Sequence, residues 1–146
     1  MNKILITLIL IGFTTLIQAS DLIRKPSQNS VQATMDKLEA VVGKKGLTVF
    51  SRIDHQANAK KAGLQMAAAQ VLIFGSPKLG TAMMNQDIAS GLDLPLRVLV
   101  YQDDSGKTWI SYHNPQGMKK IYRLEGNAAV NKAENGLAKM TDAASR

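Results

Sequence analysis

The chain has 146 residues, with 18 Lys and Arg against 11 Asp and Glu, a formal net charge of +7 and no cysteine. The absence of cysteine excludes disulfides, thiol catalysis and thiolate metal sites, so packing must hold the fold. A basic balance points to nucleic acid in a cytosolic protein, but no block of five Lys or Arg occurs. A solvated basic surface is the plain expectation, with membrane or cell-wall anions as the nearer partners and no nucleic acid.

The first segment, MNKILITLILIGFTTLIQAS, carries Lys3 as its single charge, an apolar run from Ile4 to Ile17, and small residues Ala19 and Ser20. A basic start, an apolar stretch too short to span a bilayer and a small-residue end predict a secretory signal peptide over residues 1–19. Ile17 is bulky for the third position before such a cut, and an uncleaved anchor is the rival reading. No cysteine follows the run, which argues against a lipid-anchored form. Residues 20–146 are then expected to form one periplasmic or secreted domain.

A short strand is expected over residues 22–25. Ser30 is placed to cap a helix whose apolar residues fall at Val31, Met35, Leu38 and Val42, and Gly46 offers it a left-handed exit. LTVFSRI, residues 47–53, alternates as a strand. Asp54 is positioned to cap a short alanine-rich helix that runs to Ala62 and ends at Gly63. AQVLIFG, residues 69–75, is apolar throughout and reads as a central strand covered on both faces. LPLRVLVY, residues 94–101, is a further strand with Pro95 confined to its start. The turn residues Asp103 to Gly106 return it as a hairpin through KTWISYH. Asn127 can cap a closing helix with Val130, Ala133, Leu137, Met140 and Ala144 along one stripe. The sum is an α+β domain in which one mainly antiparallel sheet packs against helices.

The stretch VLIFGSPKLGT has two glycines five residues apart and a following threonine, the outline of a phosphate-binding loop. The lysine that should precede Thr81 is missing, Lys78 stands two residues before Gly80, and Pro77 removes a backbone N–H. The simpler reading has Ser76 capping a short helix with Pro77 first and Leu79, Met83 and Met84 on its apolar side. A helix start can still attract an anion through its free N–H groups.

Four spaced motifs resemble the family known as domain of unknown function number 302. They are Ile53–Asp54–His55, the F-G-S-P-x-x-G-T run from Phe74 to Thr81, GLDLP from Gly91 to Pro95, and S-Y-H-N-P from Ser111 to Pro115. Ser76 stands where the family pattern has asparagine, and both residues can cap a helix. The resemblance implies a compact α+β fold of β-α-β order with further strands and a closing helix, like TATA-binding-protein topology. It implies no particular reaction and no cofactor.

Candidate sites follow from these segments. Neutral imidazole at His55 beside the Asp54 carboxylate could serve as a base or a metal ligand in a hydrolase-like or metal-dependent enzyme. The plainer reading has Asp54 capping and His55 inert. His113, at a strand end, is expected to be exposed, and the two histidines lack the spacing of a metal motif, so no metal is expected. Met66, Met83, Met84 and Met118 could line an apolar pocket or simply fill an irregular core. The leading expectation is a binding or accessory domain for a small apolar or anionic ligand or an envelope protein. Its edge would involve His55, Ser76, Pro77, Lys78, Thr81 and Tyr112. A homodimer pairing through an apolar edge strand is a further alternative.

Overall fold

The computed structural model describes residues 21–146, and the signal peptide expected over residues 1–19 lies outside the described residues. Five strands are present: β1 (Leu22–Pro26), β2 (Thr48–Asp54), β3 (Ala69–Gly75), β4 (Leu96–Gln102) and β5 (Thr108–His113). The helices are α1 (Val31–Lys44), α2 (His55–Lys61), α3 (Pro77–Met84) and α4 (Ala128–Ala144). Two 3₁₀ segments, Ile88–Asp93 and Pro115–Lys120, were not expected from the sequence.

The helix ends follow the side-chain chemistry. The Ser30 hydroxyl accepts from the Ala33 N–H at 3.2 Å, and the Asp54 carboxylate accepts from the Ala57 N–H at 2.8 Å. Each bond satisfies one of the free N–H groups that every helix start exposes. Gly46 and Gly63 leave α1 and α2 with φ of 68° and 76°, backbone that residues bearing a Cβ rarely adopt.

The strands form one sheet in the order β1-β5-β4-β3-β2, and every neighbouring pair is antiparallel. Alternation along that order makes the two edge strands, β1 and β2, run the same way. α1 therefore connects them across the sheet, and β2 to β5 return as a meander. α1 and α4 pack on each other and on the same sheet face. Leu72, Phe74, Val98, Val100 and Ile110 supply that face, and all five are fully buried. Met35, Leu38 and Val42 of α1, with Leu137 and Met140 of α4, close over them.

One expectation is corrected here. β3 is an interior strand, but among the described residues helices cover only one of its faces. Leu72 and Phe74 point into the core, whereas Val71 and Ile73 are half-buried on the open side. The two edge strands are mixed in character, with Phe50 of β2 and Leu22 of β1 exposed. β1 carries Arg24, Lys25 and Pro26, and β2 is interrupted by a bulge between Val49 and Ser51. Charges, proline and bulges are features that discourage edge-to-edge pairing.

Polar ties fasten the helices to the sheet. The Lys25 ammonium bonds Asp142 at 2.5 Å and the Thr141 hydroxyl at 3.2 Å, near the end of α4. Arg52 donates to Asp36 and Glu39 of α1 and to the Gln70 side-chain oxygen on β3. The Arg52 hydrogen bond holds the Asp36 carboxyl below its usual range.

The β4–β5 hairpin is closed by one carboxylate. Asp103 Oδ1 accepts from the Ser105 hydroxyl at 2.7 Å and from the Ser105 and Lys107 N–H groups, while Oδ2 accepts from the Trp109 indole N–H at 2.7 Å. These bonds, the Ser105 hydroxyl foremost and the indole next, lower the Asp103 pKa from 3.8 to about 2. A depressed carboxyl contributes its stability above its unfolded pKa and loses it as pH falls through the folded value. The fluorescence of Trp109, the single tryptophan, should therefore titrate with a midpoint near pH 2, and Asp103→Asn should abolish that step. A midpoint near pH 4, the ordinary carboxylate range, would show that the bonds are not made in solution.

Candidate functional site

The excursion between β3 and β4 builds an apolar cleft. β3 ends at Gly75, and the Ser76 hydroxyl accepts from the Leu79 N–H at 3.3 Å to start α3 with Pro77 at its first position. Asp87 then caps the 3₁₀ segment through the Ala89 N–H at 3.1 Å, and Leu94–Pro95 returns the chain to β4. The other Asp87 oxygen accepts from the Arg123 N–H at 3.0 Å, a bond that heads the causes lowering its pKa. Asn127 donates to the Ala82 carbonyl at 3.1 Å and to Gln86 at 2.8 Å, so the loop before α4 anchors the back of α3.

These segments enclose an apolar cleft of about 390 Å³. Leu79, Met83 and Met84 of α3 form one wall, Leu94 and Pro95 another, and Phe50 of β2 a third. Phe50 reaches it because of the β2 bulge. Val49 pairs with Phe74 and Ser51 with Ile73, which leaves Phe50 as the unpaired extra residue, 56% exposed. A bulge re-aims a side chain in this way. Gly75 keeps the floor open, since a Cβ there would lie 3.5 Å from Pro95 and 3.8 Å from Phe50. Gly91 is held tighter: a Cβ would meet the Met84 sulfur at 3.0 Å. A neighbouring hollow of about 350 Å³ shares Ser76, Leu79 and Ala133 with the cleft and reaches Lys45 and Lys132.

The expected site residues are divided by this geometry. Ser76, Pro77 and Thr81 line the cleft, and two of the family-like motifs, Phe74–Thr81 and Gly91–Pro95, meet there. Lys78 is exposed and outside the lining. Tyr112 is only 6% exposed and packs in the core under the helices, so it forms no edge of the cleft. His55 stands at the other end of the sheet, because Thr48 pairs with Gly75 whereas Asp54 pairs with Gln70. Six residues of strand put those ends roughly 20 Å apart. Both Asp54 oxygens are engaged, by the Ala57 N–H and by Gln70 at 3.3 Å. His55 is exposed with no side-chain partner among the described residues. Of the four methionines, Met83 and Met84 line this cleft, while Met66 and Met118 line others. Phe50 escaped the sequence reading, although the adjacent apolar pair Val49–Phe50 breaks the alternation and signals a bulge.

A polar cleft of about 250 Å³ lies beside β5, lined by Asp93, Arg97, His113, Asn114 and Ile121 among others. Here the GLDLP segment meets S-Y-H-N-P. The Tyr122 hydroxyl donates to Asp93 at 2.8 Å, and this bond raises the Tyr122 pKa. Among the described residues no group of three or more His, Cys, Asp and Glu is placed to hold a metal ion. No described helix is long and apolar enough to cross a membrane.

A one-sided antiparallel sheet and two covering helices define a small α+β domain. The chain belongs to the family described as "Domain of unknown function DUF302", whose pattern matches residues 23–144. The crystal structure of an uncharacterized conserved protein DUF302 from Bacillus stearothermophilus has the same fold, with a TM-score of 0.77 at 20% identity. The match covers 88% of this chain and 100% of that one. The chain is also 38% identical over 105 residues to a protein of Brucella suis biovar 1 (strain 1330) named fluoride-specific ion channel FluC 1, covering 72% of this chain and 41% of that protein. A protein of the same name from Brucella abortus biovar 1 (strain 9-941) matches at 38% over 105 residues, covering 72% of this chain and 39% of its own. The chain thus spans about two fifths of the length of these curated relatives.

The roles of the Ile53–His55 motif can be separated by stability. Asp54→Ala should cost about 1 kcal/mol in urea unfolding, the usual loss for an N-cap. His55→Ala should stay within about 0.5 kcal/mol, as surface changes do. Equal losses at the two positions would show a contact of His55 that the structure does not contain.

Proposed function

We propose that the protein is an exported binding or accessory domain that takes a small apolar molecule, or the apolar end of an amphipathic one, into the cleft between α3 and Phe50. The observation that carries this reading is the cleft itself. Its lining is apolar, its volume of about 390 Å³ falls within the usual range of roughly 300–1,000 Å³ for ligand sites, and two family-like motifs converge on it. Here Phe50 is kept exposed by the bulge, and Gly75 leaves the floor unfilled. Lys45 and Lys132 at the adjoining hollow favour an anionic end on such a ligand.

Export is supported by the basic–apolar–small pattern of residues 1–19. The relatives named as ion channels contain a similar stretch within much longer chains, which favours accessory work beside a membrane. The enzyme reading loses support because Asp54 is spent on the cap and on Gln70. A dimer through a sheet edge loses support from the charges and the bulge described above.

Two experiments test this reading. The intact mass of the protein recovered from cell envelopes should correspond to a chain beginning at Ser20, and a mass that includes residues 1–19 would remove the cleaved-export half. For the cleft, the neutral dye N-phenyl-1-naphthylamine should bind saturably with a fluorescence rise. Thr81→Trp, a change at an exposed rim position, should fill the opening and weaken binding at least about tenfold, while thermal unfolding stays unchanged. Dye binding untouched by that substitution would place the apolar site elsewhere.

A further inference from the structure

We propose that the polar cleft beside β5 is a second binding site, for a small zwitterion bearing a carboxylate, an ammonium group and a short apolar side chain. This is the chemistry of a free apolar α-amino acid.

Arg97 and Asp93 both line this cleft, yet no ion pair closes between them. The Arg97 side chain has no hydrogen bond or ion pair among the described residues. Leu99 pairs with Ser111, and continuing that register by two residues sets Arg97 opposite His113 on the open sheet face. The His113 imidazole is likewise exposed and unpartnered. Both nitrogen donors therefore line the cleft with no partner of their own among the described residues. A guanidinium presents a planar fork that matches a carboxylate, and the imidazole adds a third donor.

Asp93 supplies the opposite charge. Its Oδ2 is held by the Tyr122 hydroxyl at 2.8 Å, a neutral donor that fixes the carboxylate without neutralising it. Oδ1 remains to accept from an ammonium group. The other acid in the lining is already matched: Asp21 bonds Lys120 at 3.0 and 3.1 Å and rests on Gly117, where a Cβ would lie 3.0 Å from its carboxyl carbon. The remaining wall is apolar. Pro115 and Met118 are buried, and Ile121 is 70% exposed at the rim, where a ligand side chain can cover it. The volume of about 250 Å³ is too large for a single ion and sits below the range of drug-sized sites, roughly 300–1,000 Å³.

The test is a titration of the protein with L-leucine, 4-methylpentanoate and isoamylamine, followed through the amide resonances of Arg97, His113 and Ile121. 4-Methylpentanoate lacks only the ammonium group and isoamylamine only the carboxylate. L-leucine should bind at least about tenfold tighter than either, because each charged hydrogen bond is worth about that factor or more. Asp93→Asn should erase the advantage of leucine over 4-methylpentanoate, and Arg97→Gln its advantage over isoamylamine. Arg97 is exposed on its strand, so its amide spectrum should otherwise match wild type. If it does not, Arg97→Lys keeps the charge without the fork and should still weaken leucine binding. 4-Methylpentanoate binding as tightly as leucine, or no saturable shift at millimolar leucine, overturns the proposal.

Discussion

Burial of a single sheet face by α1 and α4 sets the position of every other part of this domain. α1 has to connect two strands at opposite edges, so it must lie across the sheet, and α4 packs beside it on the same side. Both helices then bring their apolar stripes to Leu72, Phe74, Val98, Val100 and Ile110. Among the described residues the opposite face receives no helix. Side chains there must cover one another, and Arg24 lies 4.2 Å from the Trp109 ring centre with Lys107 at 4.4 Å. Cations over an indole face shield apolar surface while keeping their charge near water.

That one-sided arrangement also locates the clefts. β3 and β4 are adjacent, so the chain between them has to leave the sheet and come back within a strand spacing. α3 and the 3₁₀ segment are the detour, and they lean on the start of α4 through Met83, Val130 and Ala133. Met83 is spent on that contact, 1% exposed. Leu94 and Met84 are left half-buried over the hollow between α3 and the start of β4.

Local chemistry made much of this legible in advance. Ser30, Asp54, Ser76 and Asn127 each cap the helix that their side chains favour, and the hairpin turn at Asp103 is closed as its residues suggest. Such features depend on a few neighbouring residues, so a sequence displays them. The faces of β3 were less readable, because whether Val71 and Ile73 are covered depends on where distant helices lie. The same limit misplaced Tyr112 and His55 as companions of Ser76. Alternation alone could not tell which face Tyr112 occupies, nor that β2 carries His55 away from Gly75. The 3₁₀ segments have no apolar period long enough to detect, yet they bring Asp93 and Asn114 to one cleft.

The segment from Gly91 to Pro95 is where the two clefts are divided. Gly91, Leu94 and Pro95 face the apolar cleft, and Asp93 between them faces the polar one. No residue lines both. On α4 the division is repeated by successive residues: Ala133 lines the apolar cleft, and Glu134 accepts from Asn114 at 3.1 Å and Gln116 at 2.7 Å beside the polar one. Contacts made in one cleft therefore do not compete for side chains with contacts made in the other. What the clefts share is backbone, pinned on one side by the Asp93–Tyr122 bond and on the other by Met84 against Gly91. Coupling between them would have to pass through a shift of that strip. With Met84 packed this close to Gly91, a shift of the strip toward it would have to displace the Met84 side chain, which lines only the apolar cleft.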